Sequence, residues 1–113
     1  QAIRFAFSED YGRVLENIVY IELKRRKNDI YYFKEKKECD FLTAEKGKVM
    51  TALQVTKTFN QDGTRDREIG GLVEAMDYYG LKEGLILTED ESEELTIDER
   101  LIKIMPVWLW LLQ

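Results

Sequence analysis

VMTALQVTKTFNQDGTRDREIGGLVEAMDYYGLKEGLILT, residues 49–88, contains two predicted strands with a predicted helix between them. It opens with a strand-like run at 49–55, continues through the polar loop 60–63, and closes with a short apolar run at 84–88. Between the two runs, apolar side chains recur with the spacing of one helical face: Ile69, Leu72, Val73 and Met76. A helix of this length between two strands predicts a parallel crossover.

Glycines lie both within this predicted helix and at its end. The helix is expected from about Arg65 to Tyr79, and Gly80 suits the left-handed residue that follows the last turn of a helix. Gly70 and Gly71 are expected to interrupt the helix and to allow its close packing on the sheet. The helix is therefore expected to cover one face of the sheet.

The preceding sequence predicts one more helix and two more strands. A helix is expected from about Glu9 to Lys27, with Ser8 as its N-cap and acidic residues in its first turn. Strand-forming residues follow at 30–33 and 39–44, separated by a charged turn. Three consecutive strands with short connections predict a partly antiparallel meander.

The sequence after residue 88 predicts a hairpin and a final apolar element. Runs at 95–97 and 101–104 flank Asp98-Glu99, which is the expected turn. The segment 106–112 is the most apolar of the chain and is predicted to be a last core element with some surface left for a partner. The fold class is α/β (α+β): a mixed sheet in the order αβββαβ plus a C-terminal hairpin, with helices packed on the sheet.

Length and composition predict a single domain spanning residues 1–113, because 113 residues with 44% apolar content are enough for one core. The only cysteine, Cys39, excludes an internal disulfide and favours a reducing, cytoplasmic compartment. No apolar run approaches the ~20 residues that span a bilayer, so no membrane is expected as a partner.

Composition also excludes several kinds of site. The chain has no histidine, which rules out a Ser-His-Asp triad, a Cys-His pair and histidine-containing zinc sites. One cysteine does not make a thiolate zinc site. No GxxxxGK(S/T) segment occurs, so no ATP site of that type is expected in this chain.

Three oxygen-bearing side chains are predicted to meet at one edge of the sheet. If the second and third strands pair through the turn near Gly47, Asp40 and Gln54 lie beside one another. Glu16, at the border of the apolar stripe of the first helix, can point to the same edge. Together the three side chains would present oxygen atoms of the kind that bind Mg²⁺.

These residues carry a resemblance to a known family. Residues 12–19 (GRVLENIV), 38–41 (ECDF) and 53–57 (LQVTK) resemble the helix glutamate, the strand aspartate and the (D/E/Q)-x-K strand of the PD-(D/E)XK, or restriction-endonuclease-like, superfamily. With 64–69 (TRDREI) and 105–109 (MPVWL), they are similar to the C-terminal domain of unknown function that follows the ATP-binding module of archaeal and bacterial AAA-type ATPases. The similarity extends over nearly the whole chain.

The resemblance implies a restriction-endonuclease-like fold and a metal-dependent nuclease site. It implies that Glu16, Asp40 and the position of Gln54 hold Mg²⁺ or Mn²⁺, while a lysine two residues further orients the attacking water. The sequence departs from that pattern twice, because Gln54 replaces the second carboxylate and Thr56 stands where the lysine is expected. It further implies that residues 1–8 are a linker or edge strand from a preceding ATPase module.

The cation of such a site then has to come from elsewhere. Lys57 is one residue away, and on a regular strand its side chain points to the opposite face unless a bulge at Val55 or Thr56 redirects it. Otherwise Arg65 or Arg67, at the start of the second helix, supplies the cation and the contact with nucleic acid. Basic residues at 24–27 and 34–37 form either a phosphate-binding rim or a solvated helix end.

The leading functional hypothesis is a degenerate nuclease-like accessory domain of a AAA-type ATPase that serves interaction or nucleic-acid sensing. The alternative is a Mg²⁺- or Mn²⁺-dependent DNA phosphodiesterase that uses the Glu16, Asp40 and Gln54 oxygens as ligands. A third hypothesis is an oligomerisation domain anchored by the C-terminal Trp/Leu segment. The expected partners are the ATPase module of the same polypeptide, nucleic acid and a second copy of the chain.

Overall fold

A six-stranded mixed sheet carries the fold in the computed structural model, which describes the side chains of residues 12–113. The elements are α1 (Ala2–Arg25), β1 (Asp29–Lys34), β2 (Glu38–Glu45), β3 (Lys48–Val55), α2 (Thr64–Tyr79), β4 (Glu83–Thr88), β5 (Glu93–Ile97), β6 (Arg100–Pro106) and α3 (Val107–Leu111). The predicted order is confirmed. Helix α1 begins at Ala2, before the predicted start at about Glu9, so it includes residues 2–8, which were expected to form a linker or edge strand. The predicted cap by Ser8 depends on a side chain that lies outside the described ones.

The strands lie in the order β1-β2-β3-β4-β6-β5. Strands β1, β2 and β3 form the predicted antiparallel meander, and the α2 crossover makes β3 and β4 parallel. Strand β6 then pairs in parallel with β4 and in antiparallel with β5, so the hairpin turns its second strand inward. Strand β6 takes the inner position because it is the more apolar strand. It has three buried residues, whereas β5, which begins with two glutamates, has none.

The helices cover both faces of the sheet. Helix α2 packs on one face over a core that includes Leu42, Ala52, Leu72, Met76 and Ile86. Helices α1 and α3 pack on the other face over a second core that includes Leu15, Val19, Leu53, Leu87 and Trp110. The sheet therefore has a separate apolar core on each side, as expected when helices pack on a mixed sheet.

Helix α2 approaches the sheet very closely at its glycines. It runs unbroken through Gly70 and Gly71, and a Cβ atom built on Gly71 would overlap the carbonyl oxygen of Glu38 on β2. At its end, Gly80 has φ 68° and its backbone N–H turns back to the carbonyls of the last turn, as predicted. The close approach brings the first turns of α2 beside the end of β3.

The C-terminal segment supplies both core and surface. The turn between β5 and β6 has Asp98 at φ 49° and Glu99 at φ 68°, the two positive values of a tight hairpin turn. In α3, Trp110 is buried against α1, whereas Trp108 is exposed. The prediction of a last core element is confirmed for one of the two tryptophans. Among the described residues, no helix is long and apolar enough to cross a membrane.

Candidate functional site

Asp40 lies at the junction of β2 and the end of β3. Its Oδ2 accepts a hydrogen bond of 2.8 Å from the backbone N–H of Val55, and its own backbone N–H donates to Oε1 of Gln54 at 2.8 Å. The structure thus brings Asp40 and Gln54 into direct contact. The short turn between β2 and β3 positions them, because it fixes the register in which Phe41 pairs with Leu53.

Gln54 is almost fully buried, with 1% of its surface exposed. Its Nε2 donates one hydrogen bond to the carbonyl oxygen of Glu38 at 2.9 Å and another to that of Glu68 at 3.1 Å. Both amide hydrogens are therefore used, and Oε1 accepts from Asp40. This carboxamide links three elements, since Glu38 begins β2, Gln54 belongs to β3 and Glu68 lies in the second turn of α2.

Glu68, which was not among the predicted site residues, is the second half-buried carboxyl group of the site. Burial is the main cause that raises its pKa to about 7, and the nearby charges of Asp40 and Glu16 raise it further. Burial likewise raises the pKa of Asp40 to about 6, against the opposing effect of the Val55 N–H. The carboxyl groups of Asp40 and Glu68 therefore hold protons more strongly than ordinary ones do.

A pattern in the sequence points to Glu68. The residue precedes Leu72 and Met76 at intervals of four, so it stands in line with the most deeply buried side chains of α2. A glutamate at such a position has to be buried in part. The apolar stripe of α2 thus contained the information that one of its carboxylates faces the sheet.

A cavity of about 380 Å³ opens above these carboxyl groups. We call it the Asp40 cavity, and its lining residues are Lys34, Lys36, Lys37, Glu38, Asp40, Gln54, Arg67 and Glu68. Four of the eight are cations. Two of these have carboxylate neighbours: Lys34 Nζ lies 3.5 Å from Glu38 Oε1, and Arg67 Nε lies 3.7 Å from Glu68 Oε2. The cavity therefore has carboxyl groups at its base and cations along its border.

Two other predicted site residues lie apart from the cavity lining. Glu16 is exposed on α1, close enough for its charge to raise the pKa values of Asp40 and Glu68. Strand β3 ends at Val55, and the Thr56 hydroxyl donates to the carbonyl of Thr58 at 3.0 Å. Lys57 is exposed beyond the strand end and is not among the residues that line the Asp40 cavity.

The two arginines proposed for nucleic-acid contact differ in their surroundings. Arg65 donates to both carboxylate oxygens of Glu93, at 2.8 and 3.0 Å, and to Asn60 Oδ1 at 2.8 Å. Its guanidinium also lies 4.8 Å from the ring centre of Phe59. Arg65 thus connects the loop at Asn60 to the start of β5, whereas Arg67 is 70% exposed at the Asp40 cavity.

The two basic segments lie on different surfaces. Arg26 donates to Glu22 and to the carbonyls of Trp110 and Gln113, so it holds α3 against α1. It lines a different, larger cavity of about 620 Å³ on the α1 and α3 side of the sheet. The lysines at 34–37 line the Asp40 cavity instead. The two segments therefore do not form one continuous rim.

Two of the side chains that the resemblance assigns to a metal are hydrogen-bonded to the backbone. The Gln54 oxygen accepts from Asp40, and one Asp40 oxygen accepts from Val55, so backbone donors already engage two of the expected ligands. Within residues 12–113, no three acidic or cysteine side chains are grouped so that they can hold a metal ion. What the geometry offers is a pair of proton-binding carboxyl groups beside cations that suit phosphate.

The sequence of the chain matches a known protein family. Residues 11–110 match the model of the family described as Domain of unknown function (DUF4143). Among curated proteins, the chain is similar to the uncharacterized protein MJ1544 of Methanocaldococcus jannaschii, with 37% identity over 118 aligned positions. That alignment covers 93% of the chain and 26% of the relative, so the chain spans about a quarter of the length of the protein it matches.

Proposed function

The chain belongs to the DUF4143 family, and on that premise we propose that it is a nuclease-like accessory domain that no longer cleaves nucleic acid. Its role in this proposal is interaction and nucleic-acid sensing on behalf of a longer polypeptide. The Asp40 cavity is the proposed remnant of a cleavage site. Its basic border is the part that meets phosphate.

The observation that carries the proposal is the hydrogen bonding of Gln54. Its amide donates to two carbonyl oxygens, those of Glu38 and Glu68, and only a side chain with two N–H groups can do so. A carboxylate at this position would oppose both oxygens with a negative charge. The glutamine therefore serves the packing of α2 on the sheet, in place of the metal-binding carboxylate that the PD-(D/E)XK resemblance calls for.

The surroundings of the strand end support the same proposal. Water activation in the superfamily pattern needs a lysine beside the carboxylates, and Thr56 and Lys57 both lie beyond the end of β3. The cations of the cavity come from the end of β1, the β1–β2 turn and α2, with Lys37 and Arg67 among them. Such side chains suit contact with phosphate oxygens without a part in bond cleavage.

The setting of the domain is part of the proposal. The M. jannaschii relative is about four times as long as the aligned segment, which supports a domain that functions as one part of a larger protein. We place it behind the ATP-binding module of a cytoplasmic AAA-type ATPase. That module is the proposed first partner, and the nucleotide is hydrolysed there.

The test is a cleavage assay combined with a binding assay on the same samples. Labelled linear, single-stranded and branched DNA would be incubated with the 113-residue chain in Mg²⁺ and then in Mn²⁺, beside Asp40→Ala. Binding of the same DNA would be followed by fluorescence anisotropy. We expect binding without cleavage, and we expect the charge reversals Lys36→Glu and Lys37→Glu to weaken the binding.

Either assay can overturn the proposal. Metal-dependent cleavage that Asp40→Ala abolishes would make the domain a working phosphodiesterase. If none of the DNA forms binds, the nucleic-acid-sensing role would be wrong, and protein interaction would be the only proposed role left. Cleavage that Asp40→Ala leaves unchanged would indicate a contaminating nuclease. The assays would then be repeated with protein from which that nuclease has been removed, and the result decides between the first two outcomes.

A further inference from the structure

Three aromatic rings meet where the C-terminal half of α2 packs against the edge strand β1. The ring centre of Phe33 lies 5.6 Å from that of Tyr78 and 6.1 Å from that of Tyr79, both in edge-to-face arrangements. The two tyrosine rings are 4.9 Å apart. Phe33 is buried, whereas Tyr78 is 64% and Tyr79 39% exposed. The exposed rings of Tyr78 and Tyr79 therefore pack on the buried ring of Phe33.

Lys37 lies along the same side of α2 as these rings. Its backbone N–H donates to Glu74 Oε1 at 3.0 Å, and its Nζ lies 2.8 Å from where a Cβ of Gly70 would be. Gly70, Glu74 and Tyr78 follow one another at intervals of four, so they share one side of the helix. Lysine and tyrosine thus border one continuous strip of α2.

The strip leads into the Asp40 cavity. We define the β1–α2 surface as Phe33, Tyr78 and Tyr79 together with Lys34, Lys36 and Lys37. The three lysines also line the Asp40 cavity, where Arg67 joins them. From Arg67 to Tyr78 the helix rises by about 16 Å, so the strip is long enough to contact several nucleotides.

The charges of the β1–α2 surface suit an anionic partner. All three lysines are exposed, and Lys34 lies near Glu38. In the part of the chain that the structure describes, neither Lys36 nor Lys37 forms an ion pair with a carboxylate. Two cations thus remain available beside exposed rings.

We propose that the β1–α2 surface binds single-stranded nucleic acid by stacking unpaired bases on Tyr78 and Tyr79 while the lysines contact the phosphates. This inference rests on the proposed function, because it names the form of nucleic acid that the domain senses. Exposed aromatic rings beside cations are the arrangement by which proteins hold single strands without reading their sequence. A duplex offers phosphates to the lysines but keeps its bases stacked within itself.

The balance between stacking and charge gives the interaction a recognisable salt dependence. The chain has a net charge of −5, and Glu38 and Glu74 lie close to the lysines. Stacking therefore contributes more than phosphate contacts do. With two or three lysines engaged, the slope of log affinity against log salt is expected at only about −2.

The test is binding of fluorescein-labelled oligothymidylate of about 12 nucleotides, within the site sizes of small single-strand-binding folds. A duplex of the same length and inorganic polyphosphate serve as comparison ligands. Replacing both rings, in Tyr78→Ala with Tyr79→Ala, is expected to weaken single-strand binding about tenfold or more and to leave duplex binding unchanged. Tyr78→Phe, which keeps the ring, is expected to bind like the original chain.

Controls separate a lost surface from a lost fold. Tyr20→Ala removes an exposed tyrosine from α1, which packs on the opposite face of the sheet, and it should not change binding. Thermal unfolding of each variant shows whether its core is intact. If the double tyrosine variant does not fold, Tyr78→Ala alone is used, with the same expected direction.

The different failures are distinguishable. If no nucleic acid binds, both this inference and the proposed sensing role fail. If duplex and polyphosphate bind as tightly as the single strand, or if the tyrosine variants bind the single strand normally, only the inference fails. Self-association that the tyrosine variants abolish would instead assign the β1–α2 surface to a second copy of the chain and would overturn the inference.

Discussion

At the scale of single residues, two side chains govern the character of the Asp40 cavity. Gln54 uses both amide hydrogens to connect β2, β3 and α2, so its chemistry is tied to packing. Glu68 introduces a second half-buried carboxyl group next to Asp40. Compared with the expected site, Gln54 thus lacks a negative charge, and Glu68 supplies a carboxyl group at a different position.

Changing Gln54→Glu tests the structural role of the amide. The new carboxylate would face the carbonyl oxygens of Glu38 and Glu68 without a hydrogen to donate, so the free energy of unfolding should fall by about 2–3 kcal/mol at pH 8. The loss should be smaller at pH 5, where the introduced carboxyl group can take up a proton and regain one donor. Urea unfolding at the two pH values measures both effects.

Gln61→Glu is the matched control, because it makes the same chemical change at an exposed loop position. It should alter stability by less than about 0.5 kcal/mol. Equal effects of the two substitutions would show that the amide of Gln54 contributes nothing specific.

The two carboxyl groups predict how stability depends on pH. The pKa of Asp40 is raised from 3.8 to about 6 and that of Glu68 from 4.5 to about 7, chiefly by burial. Between pH 4.5 and 7 the folded chain therefore binds more protons than the unfolded chain, and stability should rise as pH falls through this window. Below it, Glu22 acts in the opposite direction, because its pKa is lowered to about 2 by hydrogen bonds from Arg25 and Arg26.

Glu68→Gln isolates one of the two contributions. The variant should be more stable than the original chain by about 1 kcal/mol at pH 8 and nearly equal to it at pH 5. Unfolding curves across this pH range provide the measurement. A variant that is destabilised at pH 8 would mean that the ionised carboxylate is stabilised by its neighbours and is not opposed by burial.

At the scale of elements, helix α2 depends on the absence of one side chain. Gly71 allows the helix backbone to reach the Glu38 carbonyl, and this approach lets Gln54 bridge to the Glu68 carbonyl. Gly70 is less restricted, because the atoms it meets belong to the flexible side chain of Lys37.

Gly71→Ala should therefore destabilise the fold by about 1–3 kcal/mol or more, because the added methyl group forces α2 away from β2. Gly70→Ala should cost much less, since Lys37 can move. Gly12→Ala meets nothing within 4 Å on α1 and should be neutral or stabilising by up to about 1 kcal/mol. Denaturant midpoints rank the three variants, and a Gly71→Ala chain as stable as Gly12→Ala would contradict the role assigned to this glycine.

Sequence patterns predicted most elements because each pattern is local. Apolar periodicity gave α2, strand-forming runs gave β1 to β4, and the Asp98-Glu99 turn gave the hairpin. The contact of Asp40 with Gln54 also followed from a short turn. The pairing of β6 with β4 depended on distant partners, whereas the burial of Glu68 could have been read from its spacing with Leu72 and Met76. Periodicity states which residues are apolar but not which strand they meet.

At the scale of the whole molecule, the sheet is covered on both faces and open at both edges. Central strands β3 and β4 lie between the two cores, whereas β1 and β5 have one strand neighbour each. The β1–α2 surface and the Asp40 cavity both lie toward the β1 side. The proposed binding region thus lies toward one of the two open edges of the sheet.

Hydrogen exchange should show that the central strands are more protected than the edge strands. Backbone amides at 53–55 and 85–87 are expected to exchange slowest, because they are paired within the sheet beneath packed helices. Amides of β1 and β5 should exchange faster, since local opening of an edge strand disturbs fewer contacts. Exchange resolved by mass spectrometry or NMR provides the measurement. Protection of β5 equal to that of β4 would contradict the described strand order.

The inward position of β6 has a consequence for how the chain folds as it is made. Synthesis proceeds from the N-terminus, so β4 emerges from the ribosome well before the strand that pairs with its free edge. Until residues 100–106 are out, β4 has an unpaired side and β5 has no partner. The growing polypeptide therefore carries an open sheet edge during translation, which can pair with other chains until β6 is made and covers it.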